Sequence, residues 1–248
     1  MRFTVSFTVS LVVSVSVLAF AGCSNPNAPA PPVTVDLHGQ VPPAQSPQMS
    51  GAMPPSISEA YQNGEQAYDA VSSAGWDSAA KQITALKSSL SQVRADLKPV
   101  TDANDATAKV VASKESQIDS DLIPLDDAIR DHHQDSARRD SNGITKSIAE
   151  LAGMYSSPVM GEMMMLKYYS RQYEIASAAD DAPLLKETAA DISQVWSGLQ
   201  PAVEDHGGTT EARQFNDLVG ELQNSSRPGQ LGSVLRDRVS EIQEVLKR

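Results

Sequence analysis

One cysteine in 248 residues, 5% aromatics, and 20 Lys and Arg against 31 Asp and Glu set the first limits on this chain. With Cys23 alone, an internal disulfide, a Cys-x-x-Cys pair and a haem attachment site are all excluded. A net charge of −11 argues against nucleic-acid binding and against adhesion of the chain to anionic lipid headgroups. The sequence also lacks G-x-S-x-G, P-loop, H-E-x-x-H and paired E-x-x-H patterns, so no motif points to an enzyme.

What is present begins at the N-terminus. Met1-Arg2 supplies one positive charge, Phe3 to Phe20 is uncharged and rich in Val, Leu and Phe, and Ala21-Gly22 puts small residues before Cys23. This is the layout of a secretory signal peptide over residues 1–22. The run also has the roughly 20 residues that a retained transmembrane helix needs. Phe20-Ala21-Gly22-Cys23 resembles the lipobox of bacterial lipoproteins, with Phe20 where Leu is usual. The resemblance implies that Cys23 is lipidated and becomes the mature N-terminus, anchoring the chain to a membrane of the cell envelope. In a Gram-negative organism, Ser24 after the lipidated cysteine implies the outer membrane, facing the periplasm. The absence of a second cysteine agrees with an acylated Cys23 in an exported protein.

Nine of the fifteen prolines fall between Ser24 and Pro55, with Asp36 as the only formal charge. Such a segment favours extended conformations, and residues 23–55 are expected to form a disordered tether. His38 is read as a solvated residue of that tether.

From Ser56 onward the apolar spacing is helical. Ala79, Ile83, Leu86, Leu90, Val93 and Leu97 form one stripe that Pro99 is expected to stop, and Leu185, Ala189, Ile192, Trp196 and Leu199 form another, stopped by Pro201. Further stripes run through Ile144 to Tyr155 and Leu235 to Leu246, with shorter ones at Leu122 to Ile129 and Phe215 to Leu222. Asp77 and Asp181 suit N-caps. Pro124 suits a helix beginning near Asp121, whereas a start near Asp102 places it inside the helix.

Ser91 to Pro99, SQVRADLKP, returns 102 residues later as SQVWSGLQP, Ser193 to Pro201. The register extends: Leu90 meets Ile192, Val93 meets Val195 and Leu97 meets Leu199, and an offset of 93 matches Leu122, Leu125 and Ile129 to Phe215, Leu218 and Leu222. The expectation is an all-α bundle of six to seven helices built from two repeats, 56–157 and 158–248. The halves resemble helical repeat units of bacterial envelope proteins in which an aromatic follows a Gly in a long helix and an Asn opens a later one, here Gly75-Trp76 and Asn142. That likeness implies no activity.

Two clusters suggest ligand chemistry. Met160, Met163 and Met164 stand at i, i+3 and i+4, so their soft thioethers could share a helix face and suit Cu(I); the same pattern also serves core packing beside Tyr168, Tyr169 and Tyr173. His132-His133 lies in a run with Asp119, Asp121, Asp126, Asp127, Asp131 and Asp135, which suits either a divalent metal or a helix C-terminus. His206 reads as a loop residue. The chain is therefore read as a non-enzymatic binding or scaffolding module on a lipid-anchored tether, with an envelope protein as partner and no nucleic acid. The alternative is an envelope protein binding Cu(I) through the Met cluster.

Overall fold

The apolar stripes at spacings of three and four residues fold as helices because each can bury one face against its neighbours. In the computed structural model residues 48–103, 105–155, 158–224 and 228–248 are described; Cys23, the apolar run before it, His38 and the rest of the segment up to residue 47 lie outside the described residues. The described residues form eight helices, where about six to seven were expected: α1 (Pro55–Ser72), α2 (Trp76–Thr101), α3 (Ala106–Arg130), α4 (Gln134–Gly153), α5 (Pro158–Ala178), α6 (Ala182–Asp205), α7 (Thr209–Asn224) and α8 (Pro228–Leu246). Among the described residues no helix is long and apolar enough to cross a membrane.

The eight helices make two four-helix units of like connectivity. In the first, α1 packs on α2 and α4, α2 on α3, and α3 on α4; in the second, α5 packs on α6 and α8, α6 on α7, and α7 on α8. Each unit has its own hydrophobic cluster, the first centred on residues such as Leu86, Leu97, Leu125 and Ile148, the second on Trp196, Leu199, Phe215 and Leu235. Leu97 and Leu199 are both fully buried, each in the second helix of its unit, two residues before a proline. Pro99 lies 24 residues past Gly75 and Pro201 lies 20 past Asp181, so α2 is one helical turn longer over this interval.

Neither proline ends its helix at once: α2 continues to Thr101 and α6 to Asp205. A proline removes one i→i−4 hydrogen bond, and this close to a C-terminus few later bonds depend on it. Likewise α3 does not start near Asp121. It starts at Ala106, where the Asp105 side chain accepts a hydrogen bond from the Ala108 N–H at 2.8 Å, and Pro124 is interior. Asp181 caps α6 through the Leu184 N–H at 3.0 Å, as its position suggested. Asp77 does not cap α2, because Trp76 is already helical and Gly75 holds the cap position.

Four helix-to-helix connections share one backbone design. After α1, α3, α5 and α6 comes a residue with positive φ: Ala74 (56°), His132 (58°), Asp180 (54°) and Gly207 (82°). Each is followed by a residue whose N–H returns to the carbonyl five residues back: Gly75 to Ala70, His133 to Ala128, Asp181 to Ala176 and Gly208 to Val203, at 2.7–3.0 Å. That pattern closes the free carbonyls of one helix while starting the next. The carbonyls of Gly75, His133, Asp181 and Gly208 then accept the first helical bond of the following helix.

Residues before Ser56 also pack on the helices. Met49 is buried, its N–H donates to the Met154 carbonyl at 2.6 Å, and it forms an isolated parallel bridge with Tyr155. Met53 packs on the same core. Residues 49–53, expected to belong to the tether, are thus docked on the helices: two methionines in a proline-rich stretch supply enough apolar surface. At the junction of the units α4 and α5 approach closely, since a Cβ on Gly161 would lie 2.6 Å from the Gly153 Cα.

Candidate functional site: a polar layer and cleft at the unit junction

Helix α5 is the first helix of the second unit and also packs on α4 of the first. A helix covered on two sides has little solvent face, so its polar residues must find partners within the protein. Arg171 is the clearest case. It is 7% exposed, and its guanidinium donates from Nη1 to Glu65 Oε1 (2.8 Å), from Nη2 to the Tyr61 hydroxyl (3.0 Å) and Thr145 Oγ1 (3.2 Å), and from Nε to Asn142 Oδ1 (3.0 Å). The same group lies over the rings of Tyr61 and Tyr68, at 5.8 and 5.4 Å from their centroids.

The partners are themselves tied in. Glu65 Oε2 accepts from Lys167 Nζ at 2.9 Å. The Tyr61 hydroxyl donates to the Met164 carbonyl at 2.7 Å. Asn142, fully buried, donates to the Tyr168 carbonyl (3.3 Å) and Gln172 Oε1 (3.2 Å), while Thr145 donates to the Asn142 carbonyl at 2.8 Å. Burial pushes the Tyr61 phenol well above its ordinary pKa, so at neutral pH it is a neutral donor. Burial alone would weaken the charge on Arg171, but Tyr61 and Glu65 outweigh it and keep the guanidinium protonated.

The layer continues outward through Tyr68, whose hydroxyl accepts from Arg138 Nη2 at 3.0 Å and lies 3.5 Å from Glu174 Oε2. Glu174 takes a two-point ion pair from Arg236 of α8, with Nε to Oε1 at 2.8 Å and Nη2 to Oε2 as the second contact. Helices α1, α4, α5 and α8 are thereby joined by charge and hydrogen bonds where the two units meet. Beside this layer, between α1, α5 and α8, opens a cleft of about 310 Å³ lined by Gln66, Asp69, Lys167, Ser170, Arg236 and Gln243 among others.

The residues singled out from sequence fall elsewhere. Met163 belongs to the hydrophobic cluster of the second unit and Met164 to that of the first, each 5% exposed, while Met160 is 48% exposed. Adjacent positions on α5 thus face different cores, and the three side chains are divided between two cores and the surface. His132 is the positive-φ residue after α3, and its ring stacks on Trp76 at 4.7 Å and 13°, joining the α3–α4 connection to the α1–α2 connection. His133 is the N-cap position of α4. Among the described residues no group of three His, Cys, Asp or Glu is placed to hold a metal ion. His206 is the C-cap of α6, with Nδ1 2.7 Å from the Ala202 carbonyl, a contact in which a protonated Nδ1 donates. Asn142 does not open a helix; it lies within α4, at the centre of the polar layer.

Arg171, Glu65, Tyr61 and Lys167 escaped the sequence reading because a Lys or Arg in an acidic helical chain looks like a solvated face. The available signal was α5 itself. Its Met, Leu, Tyr and Ile residues occupy every side of the helix, which leaves no consistent polar stripe for Arg171 to join.

The fold and this junction define an all-helical protein of two four-helix units bound through a charged layer. No family model matches the chain, and neither a curated protein nor a solved structure matches it.

Proposed function

We propose that this chain is a lipid-anchored protein of the cell envelope, attached through Cys23, whose helical domain acts by binding a partner or ligand. The anchor rests on the resemblance of Phe20-Ala21-Gly22-Cys23 to a lipobox and on Cys23 being the sole cysteine. In a Gram-negative organism the domain would stand in the periplasm on the outer membrane. The observation that carries the binding role is the junction: polar side chains from four helices hold one another in fixed positions and leave an open polar cleft beside them. Preorganised groups of this kind favour recognition, since little side-chain freedom is left to lose on binding. The Arg171 side chain acts as scaffold, because each of its three nitrogens already donates to a neighbour.

Affinity purification of the protein from detergent-solubilised envelope, with metal analysis of the same sample, tests this reading. A molecule or protein that co-purifies in fixed proportion is the expected result. A preparation carrying no partner but one copper ion per chain, lost when Met160, Met163 and Met164 are replaced, would move the function to Cu(I) binding. A preparation carrying neither would contradict both.

A further inference from the structure

The cleft between α1, α5 and α8 has an unequal distribution of satisfied and unsatisfied charge. Both oxygens of Glu65 are taken, by Arg171 and Lys167, and both oxygens of Glu174 are taken by Arg236. Arg171 is buried and fully engaged. Lys167 donates to Glu65 and its ammonium also lies over the Tyr61 ring, 6.0 Å from the centroid; the Nη1 of Arg236 makes no hydrogen bond among the described residues. Across from them on α1, the Asp69 carboxylate makes neither a hydrogen bond nor an ion pair among the described residues. Burial raises the Asp69 carboxyl above the ordinary aspartate range, although Arg171 and Arg236 pull it the other way. Asp69 is an exposed residue, and its carboxylate feels Arg171, Arg236 and Lys167 without a direct ion pair to any of them, so a ligand cation can still reach it.

Ser170 supplies a second, independent observation. It lines the same cleft, is 2% exposed, and its hydroxyl has no hydrogen-bond partner among the described residues. Buried hydroxyls are nearly always paired, and this one, closed off from solvent in the unliganded protein, gains a partner only if the side chains around it shift when a polar group enters the cleft. Gln62, Gln66 and Gln243 add amides that both donate and accept.

The ligand must answer a carboxylate on one wall and cationic donors on the other. A simple anion meets Lys167 and Arg236 favourably but is repelled by Asp69; a simple cation has the reverse difficulty. A neutral sugar would leave Asp69 without a counter-charge. We propose that this cleft binds a small zwitterion, a free amino acid or short peptide whose ammonium sits at Asp69 and whose carboxylate sits toward Lys167 and Arg236. At about 310 Å³ the cleft is at the small end for ligand sites, which suits one or two amino-acid residues.

This inference rests on reading the domain as a binding module, which the envelope purification tests separately; the following experiment tests only the ligand class. Calorimetric titration of the full-length protein would use glycylglycine, its singly charged halves acetate and methylamine, the neutral N-acetylglycinamide, and N-acetylglucosamine. Saturable binding of glycylglycine, at least about tenfold tighter than either half, is expected. Asp69→Asn, at an exposed position without partners, should weaken glycylglycine by about tenfold and strengthen acetate, because the repelling charge is gone. That opposite movement of two ligands is one that general loss of structure would not produce. Equal binding of glycylglycine and N-acetylglycinamide, preference for N-acetylglucosamine, absence of saturable glycylglycine binding, or an Asp69→Asn variant that binds all five as the wild type does would each overturn the zwitterion assignment.

Discussion

Replacing Arg171 by Met removes the group on which the junction turns while keeping much of its apolar volume. The loss can be worked from its contacts. Glu65 would keep Lys167, so its charge is not left alone, but the Asn142 Oδ1, Thr145 and Tyr61 oxygens each lose a charged donor in a buried setting. Breaking a buried ion pair costs about 3–5 kcal/mol, and the surviving Lys167 contact places this case near the lower end, at about 3 kcal/mol. For a helical domain of this size that is a fall of about 6–12 °C in Tm. Thermal and urea unfolding followed by far-UV circular dichroism at pH 7 would measure it. Arg171→Lys should recover less than half, because an ammonium cannot reach Glu65, Tyr61, Thr145 and Asn142 together. A loss below about 1 kcal/mol for Arg171→Met, or full recovery by lysine, would refute the claim that this side chain joins the units.

Leu97→Ala and Leu199→Ala should each cost about 2–5 kcal/mol, since both side chains are fully buried at matching places; hydrogen exchange should show each loosening chiefly its own four-helix unit. Ala74→Gly should stabilise by about 1 kcal/mol in denaturant unfolding, because φ of 56° costs an L side chain that glycine lacks. Gly161→Ala should destabilise strongly, with its Cβ meeting the Gly153 backbone, whereas Gly153→Ala, whose own Cβ meets nothing within 4 Å, should be mild when compared by Tm. The Asp69 carboxyl is raised by burial, so its ionised form is disfavoured in the folded state; the penalty is present above the folded pKa and lifts as pH falls toward the unfolded value. Asp69→Asn should therefore raise Tm at pH 7, and the gain should disappear in acid.

Much of the fold was legible because helix formation leaves a periodic trace. The stripes through Leu97 and Leu199 and their return at an offset of 102 marked equivalent helices, and the structure buries both leucines at the same rank. Boundaries were harder. Proline was given a stopping power that it loses near a C-terminus, and the start of α3 stayed open between Asp121 and Asp102 because its first turns carry few large apolar residues; the structure favours the earlier one, at Ala106. The breaks near Gly75 and Asp180 could be placed, but the backbone conformation of the connections was not legible, since Ala74, His132 and Asp180 adopt a conformation that their side chains do not favour, under the demand of two helices being joined. The junction was hidden for a related reason. Arg171 and Glu65 are 106 positions apart, and a charged residue shows its burial only when the second unit is packed against the first. Asn142 attracted notice in the sequence as a helix opener, and the structure gives it a different place, at the centre of the buried polar layer.

Display of the helical domain from a lipidated Cys23 is decided by mass spectrometry of the N-terminal peptide from envelope-extracted protein. The expected peptide begins at Cys23 and carries more than one acyl chain, because a single chain holds a protein to a membrane only marginally. A peptide beginning at Met1 with a free Cys23 thiol would contradict the claim and make residues 3–20 a retained membrane anchor.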